Sequence, residues 1–114
     1  MRMAGASSGQ LTSQRRMYCV YIMSSNSGVL YTGMTSDLQR RVAQHKAGEI
    51  PGFTATYRCR RIVVVECFDS VHDAIARERQ LKGGRRSKKA KLISRGNPSW
   101  ADLSESWEGE TAPI

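Results

Sequence analysis

Tyr18-Cys19-Val20-Tyr21-Ile22-Met23-Ser24-Ser25-Asn26-Ser27-Gly28-Val29-Leu30-Tyr31-Thr32-Gly33 is the stretch whose reading decides the fold. Tyr18 to Met23 is a β-branched and aromatic run, Ser24 to Gly28 is a cluster of turn formers, and Val29 to Gly33 resumes strand character. Together they specify a hairpin. Positions on two antiparallel strands lie about 5 Å apart across the ladder and roughly 7–8 Å on the diagonal. Tyr21 and Tyr31 can therefore address one site if they share a face.

Downstream of the hairpin, Ser36 is placed to N-cap a helix with Gln39 three residues on, and Gly48 is placed to end it, giving a helix over about Asp37 to Ala47. Leu38 and Val42 form its apolar stripe. Arg41 and His45, also four apart, adjoin that stripe and point the same way. Glu49 to Tyr57, with Pro51 and Gly52, reads as a loop, and Arg61 to Phe68 as a third strand whose continuous apolar centre implies burial on both faces.

Ser70 opens a second helix with Asp73 completing its cap, and Gly83-Gly84 stops it. Val71, Ala74, Ile75, Glu78 and Leu81 share one face of that helix, so Glu78 is a carboxylate on an apolar stripe. Such a group costs several kcal/mol unless it is paired or holds a metal. Arg77, Arg79 and Lys82 are the nearby pairing candidates. Arg85 to Ser94 reads as a third, strongly basic helix, Asn97-Pro98-Ser99-Trp100 as a turn, and Gly109 to Ile114 as a frayed end. Trp100, Leu103 and Trp107 can pack back on the domain.

A chain of 114 residues, 39% hydrophobic, has the size of one small domain. The reading divides it into an arm over 1–16 without fixed structure, a domain over 17–103 and an acidic C-terminal tail over 104–114. No apolar run approaches the roughly 20 residues that cross a bilayer, and the arm lacks the apolar segment of a secretory signal. Cys19, Cys59 and Cys67 are odd in number and lack metal-binding spacing, and His45 and His72 do not complete a zinc site, which points to reduced thiols and a cytoplasmic location. His72 has no partner in the pattern and reads as a surface residue.

The net charge of +8 is uneven, because Asp102, Glu105, Glu108 and Glu110 lie in a C-terminal stretch without Lys or Arg. Residues 1–100 hold eighteen basic against six acidic side chains, a balance of +12. Lys82, Arg85, Arg86, Lys88, Lys89 and Lys91 fall within ten positions that contain no acid. Taken alone, this charge suits a solvated helix face as well as a polyphosphate partner.

Phosphodiester hydrolysis needs a base for water, positive charge for the phosphoryl oxygens and stabilisation of the departing oxygen. A tyrosine hydroxyl is a poor base unless cationic surroundings lower its pKa from near 10, and Arg41 with a bound divalent cation could do so. Glu78 could hold Mg²⁺, which accepts a single carboxylate when phosphate oxygens and waters complete its shell.

The ordered set resembles the GIY-YIG endonuclease domain as found in small stand-alone bacterial proteins. Cys19-Val20-Tyr21 stands for Gly-Ile-Tyr, Tyr31-Thr32-Gly33 for Tyr-Ile-Gly, Arg41 for the helix arginine, His45 for a histidine one turn on, and Glu78 for the metal-binding glutamate. Phe53-Thr54-Ala55-Thr56-Tyr57, Glu78-Arg79-Gln80-Leu81-Lys82 and Asn97-Pro98-Ser99-Trp100 extend the likeness over about Met17 to Leu103. The departures Cys19 and Thr32 are strand-interior and bear on packing more than on chemistry.

The resemblance implies an α/β fold with a small three-stranded, mainly antiparallel sheet packed with helices, the third strand beside the hairpin. It implies Tyr21 as general base or its hydrogen-bonded partner, Tyr31 and His45 as positioning groups, Arg41 as phosphate clamp and Glu78 as ligand to Mg²⁺ or Mn²⁺, with Asn97 a further participant. The expected activity is metal-dependent cleavage of nucleic acid, DNA first, selective for structure or backbone over sequence, with the segment Lys82 to Lys91 along the backbone. The competing reading is a nucleic-acid-binding module that keeps fold and charge without turnover.

Overall fold

The computed structural model describes residues 17–111. Strands β1 (Tyr18–Ser24) and β2 (Leu30–Thr35) lead to helices α1 (Leu38–Ala47) and α2 (Phe53–Tyr57). Strand β3 (Arg61–Phe68) follows, then helices α3 (Val71–Gly83), α4 (Arg86–Gly96) and α5 (Ser104–Thr111). The sheet order is β2-β1-β3 and both pairings are antiparallel, so β1 is central and β2 an edge. This is the α/β fold the resemblance implied. The expected arm over 1–16 lies outside the described residues.

The hairpin turn closes through Gly28 N–H to the Ser25 carbonyl (3.1 Å) and Ser25 N–H to the Val29 carbonyl (2.9 Å). The Ser25 hydroxyl also accepts from Val29 N–H at 2.9 Å. Gly28 sits at φ 91°, a backbone region open to glycine. In the resulting register Tyr21 faces Gly33 on one side and Val65 on the other.

Alternation along β1 divides the core in two. Val20 and Ile22 turn to one face with Val63, Ala74, Leu81 and Ile93, where α3 and α4 pack. Tyr21 and Met23 turn to the other with Val42, Cys59 and Ile62. Trp100 packs on the first face, Leu103 and Trp107 on the second, so the segment after α4 wraps the β3 end and covers both. Leu103 N–H bonds the Ile62 carbonyl at 2.9 Å. The Asp102 carboxylate takes a short bond from Lys46 and accepts from Ile62 N–H at 3.3 Å, fastening α1 to β3.

Several local expectations are corrected. Asp37, not Ser36, caps α1, its carboxylate accepting from Arg40 N–H. The segment read as a loop over Glu49 to Tyr57 contains α2, too short to show a helical period. The basic helix starts one residue later than expected and runs to Gly96. Helical backbone continues to Thr111, beyond the Gly109 at which fraying was expected.

The three thiols are not all reduced. Cys19 and Cys67 are direct cross-strand partners, Cα atoms 3.9 Å apart, joined in a disulfide. Only Cys59 is free, and it is buried. The pair is 48 residues apart in sequence, so only the strand register could reveal it. Cys67 is also exposed, where a buried strand position was expected. Among the described residues no helix is long and apolar enough to cross a membrane.

Candidate active site

Tyr21 leaves the centre of β1 and its ring crosses the edge strand over Gly33. A Cβ on Gly33 would lie 2.6 Å from the Tyr21 hydroxyl oxygen, 2.7 Å from its Cζ and 2.9 Å from Tyr31 Cε2. The glycine of Tyr31-Thr32-Gly33 is thus required by two aromatic rings that occupy the space of its missing side chain. Tyr31 lies two residues before Gly33 on the same face, its ring centroid 6.3 Å from that of Tyr21.

Helix α1 supplies His45, 2% exposed, whose Nε2 is 2.9 Å from the Tyr21 hydroxyl and whose Nδ1 is 2.9 Å from Thr54 Oγ1 on α2. Arg41, one turn earlier on α1, is in hydrogen-bonding and Coulombic reach of the same phenol. Guanidinium only donates. With Arg41 beside it able only to donate, the Tyr21 hydroxyl donates to His45 Nε2 and keeps its proton, which assigns the neutral Nδ1–H tautomer, donating to Thr54.

Burial is the largest influence on both titrating groups. It raises the Tyr21 pKa, the proximity of Tyr31 and the negative charge of Glu78 raise it further, and Arg41 opposes them. Burial lowers the His45 pKa, and the Arg41 charge lowers it again. With no further cation the proton stays on the phenol and the imidazole stays neutral.

Glu78 reaches the site from α3, which packs against β1 and β2 on the opposite face of the sheet. Its side chain is 20% exposed, and Oε2 is 3.1 Å from Nζ of Lys82, one turn on. Of the three pairing candidates, Lys82 is the one used. Arg77 instead forms a two-pronged ion pair with Glu66 of β3, at 2.7 and 3.1 Å, which holds its guanidinium charge more firmly. Among the described residues no group of three or more His, Cys, Asp or Glu side chains could hold a metal by itself.

The structure thus brings Tyr21, Tyr31 and His45 together at the β2 edge, with Arg41 and Glu78 within electrostatic range of the Tyr21 hydroxyl. The basic segment is divided. Lys82 pairs with Glu78, and Arg86 donates to the Gly28 carbonyl at 2.7 Å. Lys88, Lys89 and Lys91 line a groove between α3 and α4 with Gln80 and Arg95, whereas Arg85 is exposed at the start of α4. The groove meets α3 along its 77-80-81-84 stripe, about a third of a turn from the stripe carrying Glu78 and Lys82.

Asn97 is not among the groups brought together. Its amide donates to the carbonyls of Val63 (3.3 Å) and Ala101 (2.8 Å) and accepts from Ala101 N–H (3.1 Å), closing the turn after α4. Thr54 is the site residue that sequence reasoning missed. Nothing local in Phe53-Thr54-Ala55-Thr56-Tyr57 marks its hydroxyl, whose partner His45 lies nine positions away across a bend. His72 is exposed, as expected.

Residues 17–91 match the GIY-YIG catalytic domain. The chain is 40% identical over 77 residues to a UPF0213 protein of Haloquadratum walsbyi, covering 68% of this chain and 86% of that one. It is 38% identical over 77 residues to a UPF0213 protein of Staphylococcus saprophyticus, covering 68% and 94%. The solution NMR structure of a UPF0213 protein from Bacillus halodurans shares the fold at a TM-score of 0.51 and 31% identity, covering 77% of this chain and 95% of that one. Relatives thus occur in archaea as well as bacteria, so the expected bacterial source does not follow from the family. A matched region that spans both tyrosines, Arg41, His45 and Glu78 means that this chain belongs to the GIY-YIG family of nuclease domains.

Proposed function

We propose that the protein is a metal-dependent endonuclease that hydrolyses phosphodiester bonds, with DNA as its first substrate class. The observation that carries this reading is the Tyr21 hydroxyl, bonded to a neutral imidazole at 2.9 Å while facing Arg41 and Glu78. A buried phenol with a raised pKa has no structural need for a proton acceptor, a cation and a carboxylate together. As a proton-transfer group it needs all three.

The donor set fits Mg²⁺ or Mn²⁺. Glu78 is a hard oxygen ligand, and Lys82 Nζ at 3.1 Å shows that its carboxylate already favours positive charge. A single carboxylate suffices for such an ion when substrate phosphate oxygens and waters complete the shell. When bound, the ion would supply charge to the developing phosphorane and the departing oxygen.

The protein's own groups do the rest. The Tyr21 proton moves to His45 Nε2, and the phenolate takes a proton from the attacking water. The new bond forms from that water oxygen to phosphorus as the P–O bond opposite it breaks, and the departing oxygen leaves as an alkoxide that takes its proton from solvent. Arg41 faces the phosphoryl oxygens as their charge grows, and Tyr31 limits where the phosphate can sit. Lys88, Lys89 and Lys91 give the longer strand an electrostatic track in the α3/α4 groove.

The test is a panel of labelled linear, nicked, branched and single-stranded nucleic acids incubated with Mg²⁺ or EDTA. Wild type should give Mg²⁺-dependent products, and Glu78→Ala and Tyr21→Phe should each lose them while retaining most of the binding. Salt-sensitive binding without products across the panel would replace this reading with a non-catalytic binding module.

A further inference from the structure

We infer that α2 is a base-stacking platform on which Phe53 and Tyr57 receive an unpaired nucleobase of the strand held at Tyr21 and Arg41. Phe53 is 44% and Tyr57 50% exposed; with Met17, these are the large hydrophobic side chains left exposed among the described residues. Neither belongs to the cores on the two faces of the sheet. Their ring centroids are 4.7 Å apart, and Phe53 is 6.1 Å from Tyr31, itself 5.4 Å from His45. An aromatic path therefore runs from the proton-transfer pair out to solvent in contacting steps.

The platform is fastened to the site. Thr54, between the two rings in sequence, is buried against His45, and its carbonyl accepts from Cys59 N–H at 3.1 Å. The chain next to the rings is cationic: from Phe53 to Arg61 it has no acid, and both Arg58 and Arg60 are exposed. Arg58 closes α2 at φ 57°, a conformation that glycine adopts at less cost, so a cation stands where the backbone disfavours any side chain.

Exposed rings beside arginines suit a π-faced, anionic partner. In a duplex the base faces are already stacked and only edges and phosphates are offered, whereas an unpaired base presents its face. An apolar protein segment would gain from the rings but nothing from the arginines. The occupant is therefore a single strand, or the unpaired stretch of a branched or frayed one. The position of that strand relative to the scissile bond rests on the nuclease reading above; the stacking itself does not.

Binding of the full-length chain in EDTA, at one fixed salt concentration, tests this with a single-stranded oligonucleotide carrying 2-aminopurine and with a duplex of the same sequence. Wild type, Tyr57→Ala, Tyr57→Phe and the Phe53→Ala/Tyr57→Ala double variant are compared after their melting curves establish folding. Wild type should quench the 2-aminopurine, and Tyr57→Ala should weaken single-strand binding about tenfold while changing duplex binding less than about twofold. Tyr57→Phe should behave as wild type, and the double variant should lose the quenching.

Equal losses on both substrates, or no loss on either, would overturn the platform. So would a wild-type dimer in sedimentation that the double variant converts to monomer, since the rings would then face a second copy. Mg²⁺-dependent cleavage with ring-independent binding would sink the platform and spare the nuclease. Ring-dependent single-strand binding without cleavage of any substrate would do the reverse.

Discussion

The two faces of the sheet are built from the same strand and do opposite things. On one, Val20 and Ile22 meet Val63, Ala74, Leu81 and Ile93 in a dry aliphatic layer under α3 and α4. On the other, Tyr21 sits fully buried beside His45 and Thr54, with a continuous set of polar bonds. The difference teaches that alternation along β1 confines the proposed chemistry to one face, while both faces carry buried core side chains. Glu78, proposed above as the metal ligand, is the exception, because it stands on a helix of the aliphatic layer.

The largest effect expected of a break in this division is Ile22→Ala. Ile22 is fully buried on the aliphatic face, so the substitution should cost about 2–5 kcal/mol of stability by denaturant unfolding. Cleavage per folded molecule should hardly change. A comparable loss of turnover in protein shown to be folded would mean that the faces are not independent.

Gly33→Ala strikes the other face. The added Cβ would stand 2.6 Å from the Tyr21 hydroxyl oxygen and 2.9 Å from Tyr31, so the rings must move. A displacement near 1 Å at a reacting group costs about 10²-fold in rate. Turnover should fall by that order, with a smaller stability loss of about 1–3 kcal/mol from overpacking. Wild-type kcat in Gly33→Ala would show that the phenol's placement over β2 is irrelevant to the reaction.

What was legible in the sequence follows the same line between local and non-local. The hairpin, the Ser70 cap, the Gly83-Gly84 stop and the full span of β3 carry their signals within a few residues, and each matches an observed element. Arg41 and His45 were placed together because four positions on a helix is a local relation. The Cys19–Cys67 pair and the Arg77–Glu66 pair depend on how β3 and α3 lie against distant segments, which no local pattern encodes. α2 escaped because five residues after Pro51-Gly52 cannot display a helical period. With α2 went Thr54, since its hydroxyl acquires a partner only once α1 and α2 are packed.

Thr54→Val sharpens the comparison at intermediate size. It keeps the shape of the buried side chain and removes the acceptor that fixes Nδ1–H on His45. Turnover should fall about tenfold, within the range typical of lost supporting bonds around a functional imidazole, and Thr54→Ser should restore it. The pH dependence has a definite sign. Burial, then Arg41, holds the His45 pKa below its usual value near 6.5. The unfolded chain therefore binds a proton on His45 at a higher pH than the folded one does. The associated stability is present above about pH 6.5 and is lost as the pH falls from there through the lowered folded value. Cleavage, which needs the neutral imidazole, should decline through that same lowered value. A flat stability profile below pH 6.5 in wild type, measured against His45→Gln, would contradict the assigned protonation.

The smallest effect is expected from a flaw in the aliphatic layer. Thr32 neighbours Gly33 on β2 but points to the opposite face; it is 5% exposed, and its Oγ1 has no hydrogen-bond partner among the described residues. A buried hydroxyl left unpaired forfeits its hydration without return, at a cost of about 1–3 kcal/mol. Thr32→Val keeps the β-branched outline that suits a strand and deletes that oxygen. The variant should be more stable by about 1 kcal/mol and should cleave as wild type does, because the change lies on the face turned away from Tyr21 and His45. Changed turnover without added stability would place a working group on the aliphatic face, and the division of labour across β1 would fail at the position where it is easiest to test.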